Sequence, residues 1–81
     1  VLQLHTKEEC ASFFADLCTV TELKAMAQRL AVAKLLCEKK VYSEIAAETG
    51  ASTATISRVN RSLLYGNDGY THIFDRLKNE L

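Results

Sequence analysis

The chain has 81 residues, 48% of them hydrophobic, which is enough for one small domain spanning 1–81 and too little for two. Ten basic and ten acidic residues cancel, which excludes a chain drawn to nucleic acid by its overall charge alone. Three cysteines, Cys10, Cys18 and Cys37, without any paired ligand spacing exclude a disulfide framework or a zinc cluster and suit free thiols in a reducing compartment.

Thr6 followed by Glu9 has the spacing of a capping box, so a first helix is predicted from there, with Cys10, Phe13, Phe14 and Leu17 as one apolar stripe. Thr19 with Glu22 repeats the signal, which ends that helix near Cys18 and starts a long second one that runs to about Glu38. Eleven of the 17 residues from Glu22 to Glu38 are apolar, and they divide into two flanks. Leu23, Met26, Leu30, Ala33 and Cys37 form one, and Ala25, Val32 and Leu36 the other. A surface helix of a monomer needs a single stripe, so the two flanks predict a homodimer in which residues 1–40 supply the dimerisation helices; the alternative is a monomer in which both short terminal helices cover the long one. Lys39 and Lys40 suit the negative end of the helix dipole.

From Tyr42 to Leu64 the chain reads as a helix-turn-helix. Gly50, just past the run Ser43 to Thr49, is where a helix stops most easily in the left-handed region. Ser52 can cap the next helix, and Thr53 to Leu64 continues without Gly or Pro. Projected at about 100° per residue, Ile56, Val59 and Leu63 share one face, while Ala54, Ser57, Arg58 and Arg61 fall opposite. No acid occurs between Thr49 and Asn67, so that stretch carries a local positive field. An ordinary helical hairpin would use the same apolar spacing. Tyr65 to Gly69 is the clearest break in the chain, and a last helix over 70–81 is predicted, with Ile73, Phe74, Leu77 and Leu81 on one side and charges such as Asp75, Arg76, Lys78 and Glu80 at its surface. The fold class is therefore all-α, with about five helices.

The run Glu44-Ile45-Ala46-Ala47-Glu48-Thr49-Gly50-Ala51-Ser52-Thr53-Ala54-Thr55-Ile56-Ser57-Arg58 resembles the Trp repressor superfamily. The continuation Arg58-Val59-Asn60-Arg61-Ser62-Leu63 and Tyr65-Gly66-Asn67-Asp68-Gly69-Tyr70 is similar to its Trp-repressor-related branch, the YerC/YecD group. The resemblance implies an intertwined homodimer whose two helix-turn-helix units dock in successive major grooves of double-stranded DNA, about 34 Å apart on a palindromic operator.

It also implies where ligands would lie. Of the Trp repressor positions that hold tryptophan, Arg58 and Ser62 are retained here, Gln28 stands for a second arginine with Arg29 beside it, and Val59 stands for a glycine. Glutamine cannot stack on an indole or pair with a carboxylate as a guanidinium does, so tryptophan is not expected. A different small-molecule co-repressor, or none, fits better. Ser43 stands where the family has a base-reading arginine and cannot make its bidentate contact, so a different operator is expected. The expected DNA-facing set is Ser43, Ser52, Thr53, Ala54, Thr55, Ser57, Arg58 and Arg61. Arg58 can serve either the groove or a ligand slot.

A sequence-specific transcriptional regulator, a repressor in the cytoplasm, is the leading function. The alternative is a non-enzymatic helical protein-interaction module. His5 and His72 assemble no catalytic or metal arrangement, so no enzyme is expected.

Overall fold

Hydroxyl caps mark where three of the helices begin. The computed structural model describes residues 1–80, the side chain of Glu80 excepted, and the expectation for Leu81 lies outside them. The described residues form α1 (Lys7–Leu17), α2 (Val20–Cys37), α3 (Tyr42–Thr49), α4 (Thr53–Tyr65) and α5 (Gly69–Glu80), with no strand among them. The fold is all-α, as expected.

At α2 the capping box is complete. Thr19 Oγ1 accepts from the Glu22 amide at 3.0 Å, and the Glu22 carboxylate accepts from the Thr19 amide at 2.8 Å. Hydrogen bonding from that amide, and next from the Thr19 hydroxyl, holds the Glu22 carboxyl below its ordinary value of 4.5. At α1 only half of the expected box forms. Thr6 Oγ1 accepts from the Glu9 amide, but the Glu9 carboxylate accepts from the amide of His5, one residue before the cap.

The end of α2 is a Schellman motif built without glycine. The Lys40 amide donates to the Leu35 carbonyl at 3.1 Å and the Lys39 amide to the Leu36 carbonyl at 3.0 Å, with Lys39 left-handed at φ 66°. Val41 then caps α3 by backbone alone, without a side-chain bond.

One core joins three helices and a turn. Val32 and Ala33 of α2, Ile45 of α3, Ala51 of the turn, and Ile56 and Val59 of α4 are buried, with Leu35, Leu36, Ala46, Leu63, Tyr70 and Phe74 packed around them. The two flanks of α2 are real but divide differently from expectation. Ala33 joins Val32 and Leu36 on the covered side, Ala25 is exposed, and the open side is carried by Met26 and Leu30.

Other stripes are likewise open. The α1 helix has no buried residue, and Phe13 and Leu17 are exposed, with Phe13 edge-on to Phe14. In α5 the predicted single stripe splits: Phe74 stacks on Tyr70 against the core, whereas Ile73 and Leu77 face outward.

The chain consequently exposes 6580 Å², against about 4,900 Å² expected for a compact monomer of 9.0 kDa. Its radius of gyration, 13.8 Å, likewise exceeds the roughly 12 Å of a globular chain this long.

Candidate nucleic-acid interface

The turn between α3 and α4 is built around Thr49 and Gly50. Thr49 Oγ1 donates back to the Ile45 carbonyl at 2.7 Å and accepts from the Ala51 amide at 3.2 Å, so one hydroxyl fastens both sides of the turn. Gly50 follows at φ 73°, its amide donating to the Ala46 carbonyl, as a left-handed helix stop requires. Ala51 then turns its methyl into the core, and the chain enters α4 only two residues after leaving the left-handed position.

Ser52 caps α4. Its hydroxyl accepts from the Thr55 amide at 3.2 Å and donates to Thr55 Oγ1 at 3.1 Å. Burial of Ile56 and Val59 fixes the rotation of α4 about its axis, so the opposite face points outward. On that face Ala54, Arg58 and Arg61 are exposed and Ser57 is half-buried. Thr53 and Ser52 are exposed at its leading end, where Thr55 is half-buried against the cap, and Ser43 is exposed in the first turn of α3.

Seven of the eight expected DNA-facing residues thus lie in α4 or at its cap, and Ser43 lies on the preceding helix. The face is acid-free, as the sequence from Thr49 to Asn67 requires. Beyond Arg61 it ends in two exposed apolar residues, Leu64 and Tyr65.

The four residues expected around an effector are distributed differently. Gln28 is half-buried and donates its side-chain amide to the Thr49 carbonyl at 3.2 Å. Arg29 is exposed and its Nε donates to the Ala25 carbonyl one turn back in α2 at 3.4 Å. Arg58 is exposed on α4. Ser62 lines an open recess of about 550 Å³ with Leu30, Tyr70, Ile73 and the glycine-bounded turn after α4, and Gln28, Arg29 and Arg58 take no part in that recess. A second and larger groove of about 1010 Å³ runs between α2 and α5 over Ala27, Leu30, Ala31, Phe74 and Leu77.

Two features were not read from the sequence. Thr49 as the fastener of the turn had a local signal, a β-hydroxyl placed to bond the carbonyl four residues back. The contact from Gln28 had none, because its partner is a backbone carbonyl 21 residues away. Among the described residues no group of histidine, cysteine and acidic side chains could hold a metal ion, and no helix is long and apolar enough to cross a membrane.

Comparison with known proteins agrees with the geometry. A family model described as Trp repressor protein matches residues 1–78. The chain is 56% identical over 78 residues to YerC of Bacillus subtilis (strain 168), a protein described as uncharacterized, covering 96% of this chain and 75% of that one. A TrpR-like protein from Eubacterium eligens ATCC 27750 superposes with a TM-score of 0.92 at 56% identity, over 95% of this chain and 79% of the other. A Staphylococcus aureus protein described provisionally as a Trp repressor gives 0.90 at 56% identity, over 95% and 77%.

Proposed function

Because the chain belongs to the Trp repressor family, we propose that it is a sequence-specific DNA-binding regulator of transcription, a repressor that docks on a palindromic operator as an intertwined homodimer. The observation that carries this reading is the outward face of α4: no acid, two exposed arginines, and a rotation fixed from behind by Ile56 and Val59. In it, Arg58 and Arg61 meet phosphates or guanine edges, while Ala54 and Ser57 allow the helix to approach closely. Ser52, Thr53 and Thr55 bring the leading end of α4 to the backbone, and Ser43 of α3 lies beside it.

The homodimer is supported by the open apolar surface. The excess of roughly 1,700 Å² per chain over a compact monomer, about 3,400 Å² for a pair, is of the size that an obligate homodimer buries. Two units placed by a two-fold axis would present their α4 helices about one turn of DNA apart.

Tryptophan is not proposed as an effector. A co-repressor of other chemistry would have Arg58 and Ser62 at hand, with Arg29 on the neighbouring helix. A second reading, a protein-interaction module in the cytoplasm, draws on exposed Leu64 and Tyr65 at the end of the same helix.

A titration against random duplex DNA at two salt concentrations separates the readings. Affinity that falls steeply with salt is expected for phosphate contacts. No binding at low salt, or affinity indifferent to salt, would remove the DNA reading in favour of the second.

A further inference from the structure

Among the described residues, a single side-chain hydrogen bond joins positions more than four apart in sequence. It runs from Gln28 Nε2 of α2 to the Thr49 carbonyl at 3.2 Å and is partly buried. Its acceptor belongs to the last turn of α3, where helix carbonyls have no partner inside the helix. Its donor lies one helical turn before Val32, the α2 residue that packs into the core beneath α3 and α4. Thr49 in turn holds Ile45 and Ala51 through its hydroxyl.

We propose that Gln28 is a positioning residue, which ties the reading unit to the α2 scaffold and sets the tilt of α3 and the turn without any bound small molecule. The inference rests on the DNA-binding reading above and adds a cause for it. Apolar packing through Val32, Ala33, Ile45 and Ile56 fixes how far the two parts stand from each other. Such contacts are non-directional: they set the spacing of the helices and the rotation of α4 about its own axis, but they tie no particular backbone group of the turn to α2. A hydrogen bond at the rim of that core is directional, and it acts at the hinge between the two helices, where a small rotation is carried to the outward end of α4.

Alternative uses of Gln28 are weaker. With its amide donated to Thr49, it would have to leave a part-buried carbonyl unsatisfied in order to hold a ligand, a loss that is unfavourable in itself. Arg29, next to it, points its Nε back along α2 and cannot replace the tether from that position.

The test compares wild type, Gln28→Met and Gln28→Lys by two measurements. Methionine keeps the length and loses the donor, whereas lysine keeps a donor of similar reach. In amide hydrogen exchange, Gln28→Met is expected to speed exchange across residues 45–56 by roughly two- to tenfold, the worth of one hydrogen bond, with α2 unchanged. Gln28→Lys is expected to retain the protection. In DNA binding, the preference of Gln28→Met for a selected duplex over random duplex is expected to fall by a similar factor, with random-duplex affinity unchanged, whereas a merely structural role would lower both together or neither.

Unchanged exchange over residues 45–56, or faster exchange spread evenly over all helices, would overturn the tether. Wild-type binding with an unaltered preference in Gln28→Met would overturn the positioning role alone. Absence of any duplex binding by the wild type would overturn the DNA reading and the positioning role with it.

Discussion

Single residues govern the turn, and two glycines show how differently a missing side chain can matter. Gly50 needs its freedom for backbone reasons: φ is 73°, yet a Cβ there would meet nothing within 4 Å. Gly50→Ala should therefore cost about 1 kcal/mol, the strain of one left-handed residue. Gly66 has an ordinary negative φ of −87°, but a Cβ would run into the backbone carbonyl of Ser62. Gly66→Ala is expected to be the more destabilising of the two, read from urea unfolding midpoints at one fixed protein concentration. On the outward face, Arg58→Ala and Arg61→Ala should each weaken binding to random duplex DNA and lower the slope of log affinity against log salt by about one. An unchanged slope would mean that the arginine touches no phosphate. Gly50 and Ser52 were legible because each acts through its immediate neighbours in sequence, and the exposure of Arg58 and Arg61 because the helical period sets it. Lys39 was not, since nothing in a lysine announces a left-handed helix end.

Elements were read well where caps and stripes agree, and less well where a stripe is shared. The Thr19–Glu22 box fixed the start of α2, and burial of Ile56 and Val59 turned α4 as the 3.6-residue period required. The stripes of α2 and α5 each divide between a covered and an open side, because periodicity says that a residue is apolar but not whether the chain itself covers it. The cap of α2 also predicts a pH response. A carboxyl whose folded value is lowered stabilises the fold above its unfolded value, and that contribution is lost as pH falls through the folded value. The loss attributable to Glu22 should accordingly occur below 4.5. Wild type should lose more thermal stability than Glu22→Gln between about pH 5 and pH 3, since glutamine still accepts the Thr19 amide but does not titrate. Equal losses by circular dichroism melting would show that the charge of Glu22 contributes nothing.

For the whole molecule the governing fact is that one chain covers too little of itself. Phe13, Leu17, Met26, Leu30, Ile73 and Leu77 are all exposed, and they come from three different helices. The surface excess, unlike the stripes, could not be seen in sequence, for it depends on where five helices stop covering one another. Sedimentation equilibrium should give twice the 9.0 kDa chain mass, and Leu30→Glu, which places a charge in the groove between α2 and α5, should shift the protein toward monomer or unfold it. A wild-type monomer would leave the exposed apolar surface without its proposed cover. The most direct measurement is selection of bound sites from a pool of random duplex DNA. The expected result is a two-fold symmetric site whose halves lie about 34 Å apart and which holds two chains. Enrichment of isolated half-sites bound by one chain, or no enrichment, would contradict it.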